Sequence, residues 1–393
     1  MLYKRIFVIV TDSMGIGEAK DASKYNDLGA NTFGHIADLS KEFNVPTLEW
    51  LGIGNICKTS KIAQNEALNG VVARMHELSV GKDTLTGHFE IMGLNVLTPY
   101  PSFTDTGFPD ELIKMLEEFS GRKVIGNISA SGTEIIKDLG EVQLETGALI
   151  VYTSADSVLQ IAANEEVIPL EELYKICEYA RRITIENKDW QVGRIIARPF
   201  IGRSKDTFKR TTNRHDYALD PFDETVLDTL KDNNYDVIAV GKINDIFNGK
   251  GVTKALRTVS NHDGMIKTIN LLNEDFTGIC FTNLVDFDAL YGHRRDLEGY
   301  KKAIEEFDID LKSFIDKMNA DDLLIVVADH GNDPVHPGTD HTREIVPFIA
   351  YSKKLTGKVL KDFETFACVG ATIADNFSVK APKIGKSVLE ELI

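Results

Sequence analysis

LLIVVADHGND, residues 323–333, is a run of apolar residues that ends abruptly in Asp329 and His330. The apolar part is too short for a helix buried on all sides and fits a strand covered on both faces. An acidic and an imidazole side chain placed together after such a strand would be costly to bury without partners. In an open parallel sheet, residues just past the strand carboxyl ends line the crevice where ligands bind. Asp329 and His330 therefore stand where chemistry is expected.

Similar runs occur at 5–11, 148–153, 237–240 and 278–285. Helical patterns fall between them, at 110–119, 170–187, 223–233, 263–273 and 299–318. Alternating strands and helices predict a doubly wound α/β sheet. From about Pro99 to Leu219 the chain concentrates Arg and Lys and carries turn signals such as YPSFTDTGFPD and SASGTE. That stretch reads as a smaller α/β cap domain inserted into the core, giving core 1–99, cap 100–219 and core 220–393.

Three more strand-end motifs resemble the first in style. IFVIVTDSMGIG places Asp12 after the first strand, NLVDFDALYGH supplies Asp288 and His293, and HPGTDHTRE supplies His341, with His336 as a competing imidazole on a turn. Alone, Asp12 reads as a helix cap, and Asp288 and His293 as a turn acid and a surface imidazole. Together, three aspartates and three histidines make two sets of three, enough for two divalent ions with open positions for substrate oxygens. The mixed oxygen and nitrogen donors suit Mn²⁺ or Zn²⁺ better than Ca²⁺. The segment VGKDTLTGHFEIMG, residues 80–93, reads as a loop with two candidate nucleophiles, Thr84 and Thr86. A hydroxyl beside a cation is acidified and can attack phosphorus, and Thr84 could open a helix whose N-terminus receives phosphate.

The bulk composition narrows the class. The 393 residues are 43% hydrophobic with a net charge of −16, enough for a full core and contrary to the basic stripe of a nucleic-acid surface. Four scattered cysteines without a CxxC read as reduced thiols of a cytoplasmic protein. The apolar runs are too short to span a bilayer, so no membrane association is expected.

TDSMGIG at 11–17, KDTLTGH at 82–88, VDFDALYGHRRD at 285–296, ADHGNDP at 328–334 and GTDHTRE at 338–344 together resemble the alkaline phosphatase superfamily, and within it the prokaryotic phosphopentomutases. The resemblance covers essentially the whole chain. It implies an alkaline-phosphatase-like core sheet with an inserted cap. It also implies that Asp12, Thr84, Asp329 and His330 serve one metal and Asp288, His293 and His341 the other, with Mn²⁺ the expected ion. Thr84 would carry the phosphoryl group. Asp156 would touch the sugar, and Arg198, Arg210 and Lys242 would contact phosphate or sugar, with Arg194, Arg203 and Arg214 as near rivals. The implied activity interconverts α-D-ribose 1-phosphate and D-ribose 5-phosphate, and the 2-deoxy equivalents, through a phosphothreonine and a 1,5-bisphosphate. Glucose 1,6-bisphosphate or ribose 1,5-bisphosphate would prime it. One departure is Phe89, in GHFE, where the family usually has GHWE. The rivals are a phosphoglycerate mutase or phosphatase of the same superfamily and a metal-binding protein without turnover.

Overall fold

The computed structural model of the chain describes residues 1–154 and 157–393. They form two compact units, Met1–Thr98 with Pro221–Ile393, and Pro99–Asp220. The strands in chain order are β1 (Arg5–Thr11), β2 (Val71–Met75), β3 (Val124–Ser129), β4 (Leu149–Thr153), β5 (Val158–Asn164), β6 (Arg194–Ile201) and β7 (Lys209–Arg210). They continue as β8 (His215–Ala218), β9 (Asp236–Val240), β10 (Lys254–Leu256), β11 (Gly278–Leu284), β12 (Asp322–Val327), β13 (Val346–Tyr351) and β14 (Lys358–Val359).

The first unit carries an eight-stranded sheet in the order β10-β9-β11-β1-β12-β13-β2-β14. β1 is central and buried along its whole length, and its neighbours β11 and β12 run parallel to it. Arg5 pairs in register with Gly278 on one side and Asp322 on the other. The Arg5 guanidinium pins that register, with Nε donating to Asp322 Oδ1 at 2.7 Å and Nη2 to Oδ2 at 2.9 Å. A one-residue slip between β1 and β12 would strand two buried opposite charges, which is strongly destabilising. With the amino ends aligned, the carboxyl ends align too: Thr11 sits opposite Leu284, and Val10 opposite Val327. That alignment brings the motifs that follow β1, β11 and β12 together.

The sheet departs from uniform parallel order at β13, which runs antiparallel to both β12 and β2. Pro347 lies within β13, opposite Arg74. A proline in a run argues against an interior strand because it removes a ladder donor, so this segment is disguised in the sequence.

The second unit has a six-stranded sheet, β3-β4-β5-β6-β7 with β8 added to β6. Here β4 is parallel to β3 but antiparallel to β5. One face packs Leu149, Val151, Leu159 and Ile161 against the helices Asp110–Ser120 and Leu170–Glu186. The other packs Ile150, Tyr152, Ala162 and Phe200 against Ile135 and Ile136 of the helix Gly132–Thr146.

The expected helices form, and their caps explain where they start. Thr225 and Asp228 make a reciprocal capping box, so the expected 223–233 helix begins at Val226. Ser260 and Asp296 cap the helices Asn261–Leu271 and Leu297–Lys317 through their side chains. Residues 80–93, expected as a loop, contain the helix Thr84–Ile91. The Asp83 side chain caps it, accepting from the Thr86 amide at 3.1 Å. Among the described residues, no helix is long and apolar enough to cross a membrane.

Candidate metal centre

Two groups of possible metal ligands form at the carboxyl ends of the central strands. Asp12, Asp329 and His330 make one; Asp288, His293 and His341 make the other, and within each group the ligand atoms lie within 4.8 Å of one another. These are the six residues singled out from the strand-end motifs. Asp12 follows β1 directly, and Asp329 and His330 follow β12. Asp288 sits in a π-helical turn, Phe287–Gly292, just past β11, a local widening often found at functional sites. The His330 and His341 rings stack with centroids 3.9 Å apart, so the two groups abut.

Each imidazole is held in one tautomer. Nδ1 of His330 lies 3.0 Å from Gly331 O, Nδ1 of His341 2.9 Å from Lys82 O, and Nδ1 of His293 2.8 Å from Thr339 O. A carbonyl only accepts, so each Nδ1 carries the hydrogen and each Nε2 is aimed inward. His341 Nε2 and His293 Nε2 then face each other at 3.1 Å. Among the described residues, Asp12 Oδ1 and Asp329 Oδ2 are buried with no well-aligned hydrogen-bond donor, although His88 Nδ1 lies 3.1 Å from Asp329 Oδ2. Facing nitrogen lone pairs and undonated buried carboxylate oxygens are costly unless a cation lies among them. The donor set therefore fits two divalent cations.

The electrostatics show the same strain. Burial, and then the charges of Asp329 and Asp288, push the Asp12 carboxyl up to about 7. Burial also opposes charge on Asp329, but His330 and His88 outweigh it and hold the acid well below its usual range. Burial opposes charge on His330 as well, yet Asp329 and Asp12 raise it. For Asp288, burial is outweighed by His341 and His293, and the acid is lowered. Without a cation, protons compensate the clustered carboxylates.

The two candidate hydroxyls separate clearly. Thr86 is fully buried, and its Oγ1 donates to Asp83 Oδ2 at 2.6 Å. Thr84 opens the helix, and its Oγ1 lies 3.3 Å from His330 Nε2. Gly87 lets that helix approach so closely, because a Cβ there would lie 2.1 Å from Asp329 O. His336 is turned away toward Asn26 O at 3.1 Å and belongs to neither group.

Lys242 stands just past the carboxyl end of β9, at the start of a short helix. In the second unit, Arg198 donates to Gln160 Oε1 at 2.9 Å. Burial, and next the like charge of Arg214, pull Arg198 down to about 10. Tyr152, whose hydroxyl has no well-aligned hydrogen-bond partner among the described residues, is buried beside it. Arg210 is exposed on β7. Of the rivals, Arg203 is engaged by Glu166 at 3.0 Å and Arg214 by Asp216 at 2.5 Å. Asp156 lies outside the described residues.

Several polar residues that brace the centre were not singled out from the sequence, although they lie in or beside the strand-end motifs. Asn283 donates to Asp12 Oδ2 at 2.9 Å and lies 3.3 Å from His88 Nε2. Asn332 donates to Asp288 Oδ1 at 2.7 Å. Ser13 adopts a left-handed backbone, φ 70°, beside Asp12, and its amide donates to Asp329 Oδ1 at 3.1 Å. Strained non-glycine residues of this kind cluster at functional sites.

Residues 4–381 match the model of the Metalloenzyme superfamily. A Clostridium perfringens (strain 13 / Type A) protein named phosphopentomutase is 56% identical over 394 residues, covering 100% of this chain and 99% of its own length. The chain belongs to the phosphopentomutase family. Membership makes it an enzyme, of the isomerase class. Among solved structures, the PH0037 protein of Pyrococcus horikoshii has a TM-score of 0.50 at 13% identity and covers 96% of this chain and 98% of its own, a likeness of fold alone. A Leishmania mexicana phosphoglycerate mutase reaches a TM-score of 0.49 at 13% identity, covering 98% of this chain and 97% of its own.

Proposed function

We propose that the chain interconverts α-D-ribose 1-phosphate and D-ribose 5-phosphate, and the 2-deoxy equivalents, at a centre holding two divalent cations, most simply Mn²⁺. In this reading Asp12, Asp329 and His330 hold one ion and Asp288, His293 and His341 the other. Bound there, the ions would withdraw charge from phosphoryl oxygens and acidify a nearby hydroxyl.

Thr84 Oγ1 is the phosphoryl carrier. It is the hydroxyl that stands 3.3 Å from His330 Nε2 while its rival Thr86 is spent on Asp83, and this observation carries the assignment. The positive end of the helix Thr84–Ile91 favours a dianionic group on its first residue. The cycle starts from phosphothreonine. The bond from phosphorus to Thr84 Oγ1 breaks as a new one forms to the free sugar hydroxyl, which gives up its proton. The product is ribose 1,5-bisphosphate. Thr84 Oγ1 then takes the other phosphoryl group, and the sugar oxygen released takes up a proton. No phosphate is exchanged with water. A sugar bisphosphate such as glucose 1,6-bisphosphate supplies the first phosphoryl group.

Arg198, Arg210 and Lys242 bind the substrate's charged and hydroxyl groups, and Asp156 the sugar. The buried setting of Arg198 beside the like charge of Arg214 supports this, since an incoming anion would relieve that repulsion. The enzyme is cytoplasmic in this reading, and the phosphothreonine hands its phosphoryl group to sugar hydroxyls rather than to water.

The test is mapping of the phosphoryl group. Protein incubated with Mn²⁺ and glucose 1,6-bisphosphate is digested and sequenced by tandem mass spectrometry. Phosphate on Thr84, absent in Thr84→Ala with both ions still bound, is the expected result. Phosphate on Thr86, or none on a protein that turns over, would sink the assignment.

A further inference from the structure

Arg295 lies outside both ligand groups, yet its guanidinium ties together the loops that carry the second one. Nη1 donates to Gly292 O at 3.1 Å, Asn332 Oδ1 at 2.5 Å and Asp333 O at 3.0 Å. Nε donates to Gly338 O at 2.5 Å and Nη2 to Asp340 O at 3.1 Å. A planar fork of five N–H donors reaches all of these acceptors, on the Gly292 turn and on the 332–340 segment, with one Nη1 hydrogen shared between two of them. The residue is held with φ 54°, in the left-handed region that costs a non-glycine residue free energy.

Every ligand of the second group is one link from this fork. Asn332 receives Arg295 at Oδ1 and donates from Nδ2 to Asp288 Oδ1 at 2.7 Å. The two partners fix the amide's orientation, and the amide fixes the carboxylate's rotation. The His293 ring donates to Thr339 O, the carbonyl between Gly338 and Asp340 that Arg295 holds on either side. His341 follows Asp340 directly. The first group is braced by different residues: Asp12 by Asn283, and Asp329 by the Ser13 amide.

We propose that Arg295 is a positioning residue for the second cation alone, acting through Asn332 on Asp288 and through the 338–340 carbonyls on His293 and His341. This rests on the two-cation reading above. Outer partners of metal ligands typically set affinity by about 10–100-fold.

The experiment titrates Mn²⁺ alone into metal-stripped protein and follows free and bound ion by electron paramagnetic resonance. Wild type is expected to bind two ions and develop the spectrum of a coupled pair. Arg295→Met is expected to keep the first ion at unchanged affinity. Its second ion should bind about 10–100-fold more weakly, so one isolated Mn²⁺ remains at limiting metal. Arg295→Lys should recover part of the loss. Asn332→Ala leaves the carbonyl bonds of Arg295 in place, so it carries the test should Arg295→Met not fold, and it should weaken the same ion. Equal weakening of both ions, or two intact ions in the variants, overturns the inference. Fewer than two ions in the wild type would instead overturn the two-cation reading.

Discussion

Glu90 offers a sharp test of how the helix that begins at Thr84 is anchored. Its carboxylate is fully buried and accepts from four donors. Oε1 takes the Leu78 amide at 2.9 Å, Thr365 Oγ1 at 2.7 Å and the Phe366 amide at 2.9 Å, while Oε2 takes the Ser79 amide at 2.6 Å. Three of the four donors are backbone N–H groups, which cannot reverse their polarity. In Glu90→Gln the amide oxygen can keep the three bonds at the Oε1 position, but the NH2 group then meets the Ser79 N–H. Stranding that amide costs roughly 1–3 kcal/mol. Turning three charge-assisted bonds into neutral ones removes up to about half of each. Relief from burying a charge offsets part of this, leaving a net loss of about 2–4 kcal/mol. At roughly 2–4 °C per kcal/mol for a unit of this size, the melting temperature should fall by roughly 5–15 °C. The scan is run with chelator, because bound ions would add stability of their own. The same bonds hold residues 78–79, a few positions before Thr84, so phosphoryl transfer should slow as well. A variant with unchanged melting temperature and rate would refute the anchoring argument.

Further outcomes follow from the centre and the second unit. Asp12 holds its proton up to about 7, and His330 is also raised, so both must release protons when a cation binds. Apparent Mn²⁺ affinity should therefore rise most steeply, by about tenfold or more per pH unit, as pH climbs toward 7, and should go on rising less steeply above it while His330 still releases its proton. Calorimetry in buffers of different ionisation enthalpy should count the released protons, and a pH-independent affinity would contradict the burial argument. Arg198→Met should raise KM by roughly 10–100-fold, the worth of one charge-assisted hydrogen bond, with little change in kcat. An unchanged KM would remove Arg198 from substrate binding.

The parts of the fold legible in the sequence were those where local pattern and environment coincide. β1, β11 and β12 are buried from end to end, so their apolar runs mark them directly. β13 was not legible because Pro347 argues against an interior strand, and its antiparallel pairing depends on partners remote in the chain. The helix Thr84–Ile91 was legible only as a start at Thr84 within an expected loop, because its glycine and two threonines are poor helix formers. Gly87 is there for close approach to Asp329 rather than for a turn.

The candidate ligands stood out because a polar pair directly after a buried strand is costly unless partners or a cation satisfy it. Between Thr84 and Thr86, or His336 and His341, residue type alone does not choose. Asp83 caps the helix and engages Thr86, which leaves Thr84 as the hydroxyl beside His330. His336 turns to Asn26 and lies in neither ligand group, whereas His341 lies in one. Arg295 and Asn332 were not legible as braces because their role exists only once residues 332–340 fold back over the turn at Gly292.

The most direct measurement is a product assay. Purified protein is incubated with Mn²⁺, a trace of glucose 1,6-bisphosphate and ribose 1-phosphate, and ribose 5-phosphate is measured against free phosphate. Ribose 5-phosphate formed without phosphate release is the predicted result. Free phosphate in its place would mean hydrolysis at the same centre, and would contradict a phosphothreonine shielded from water.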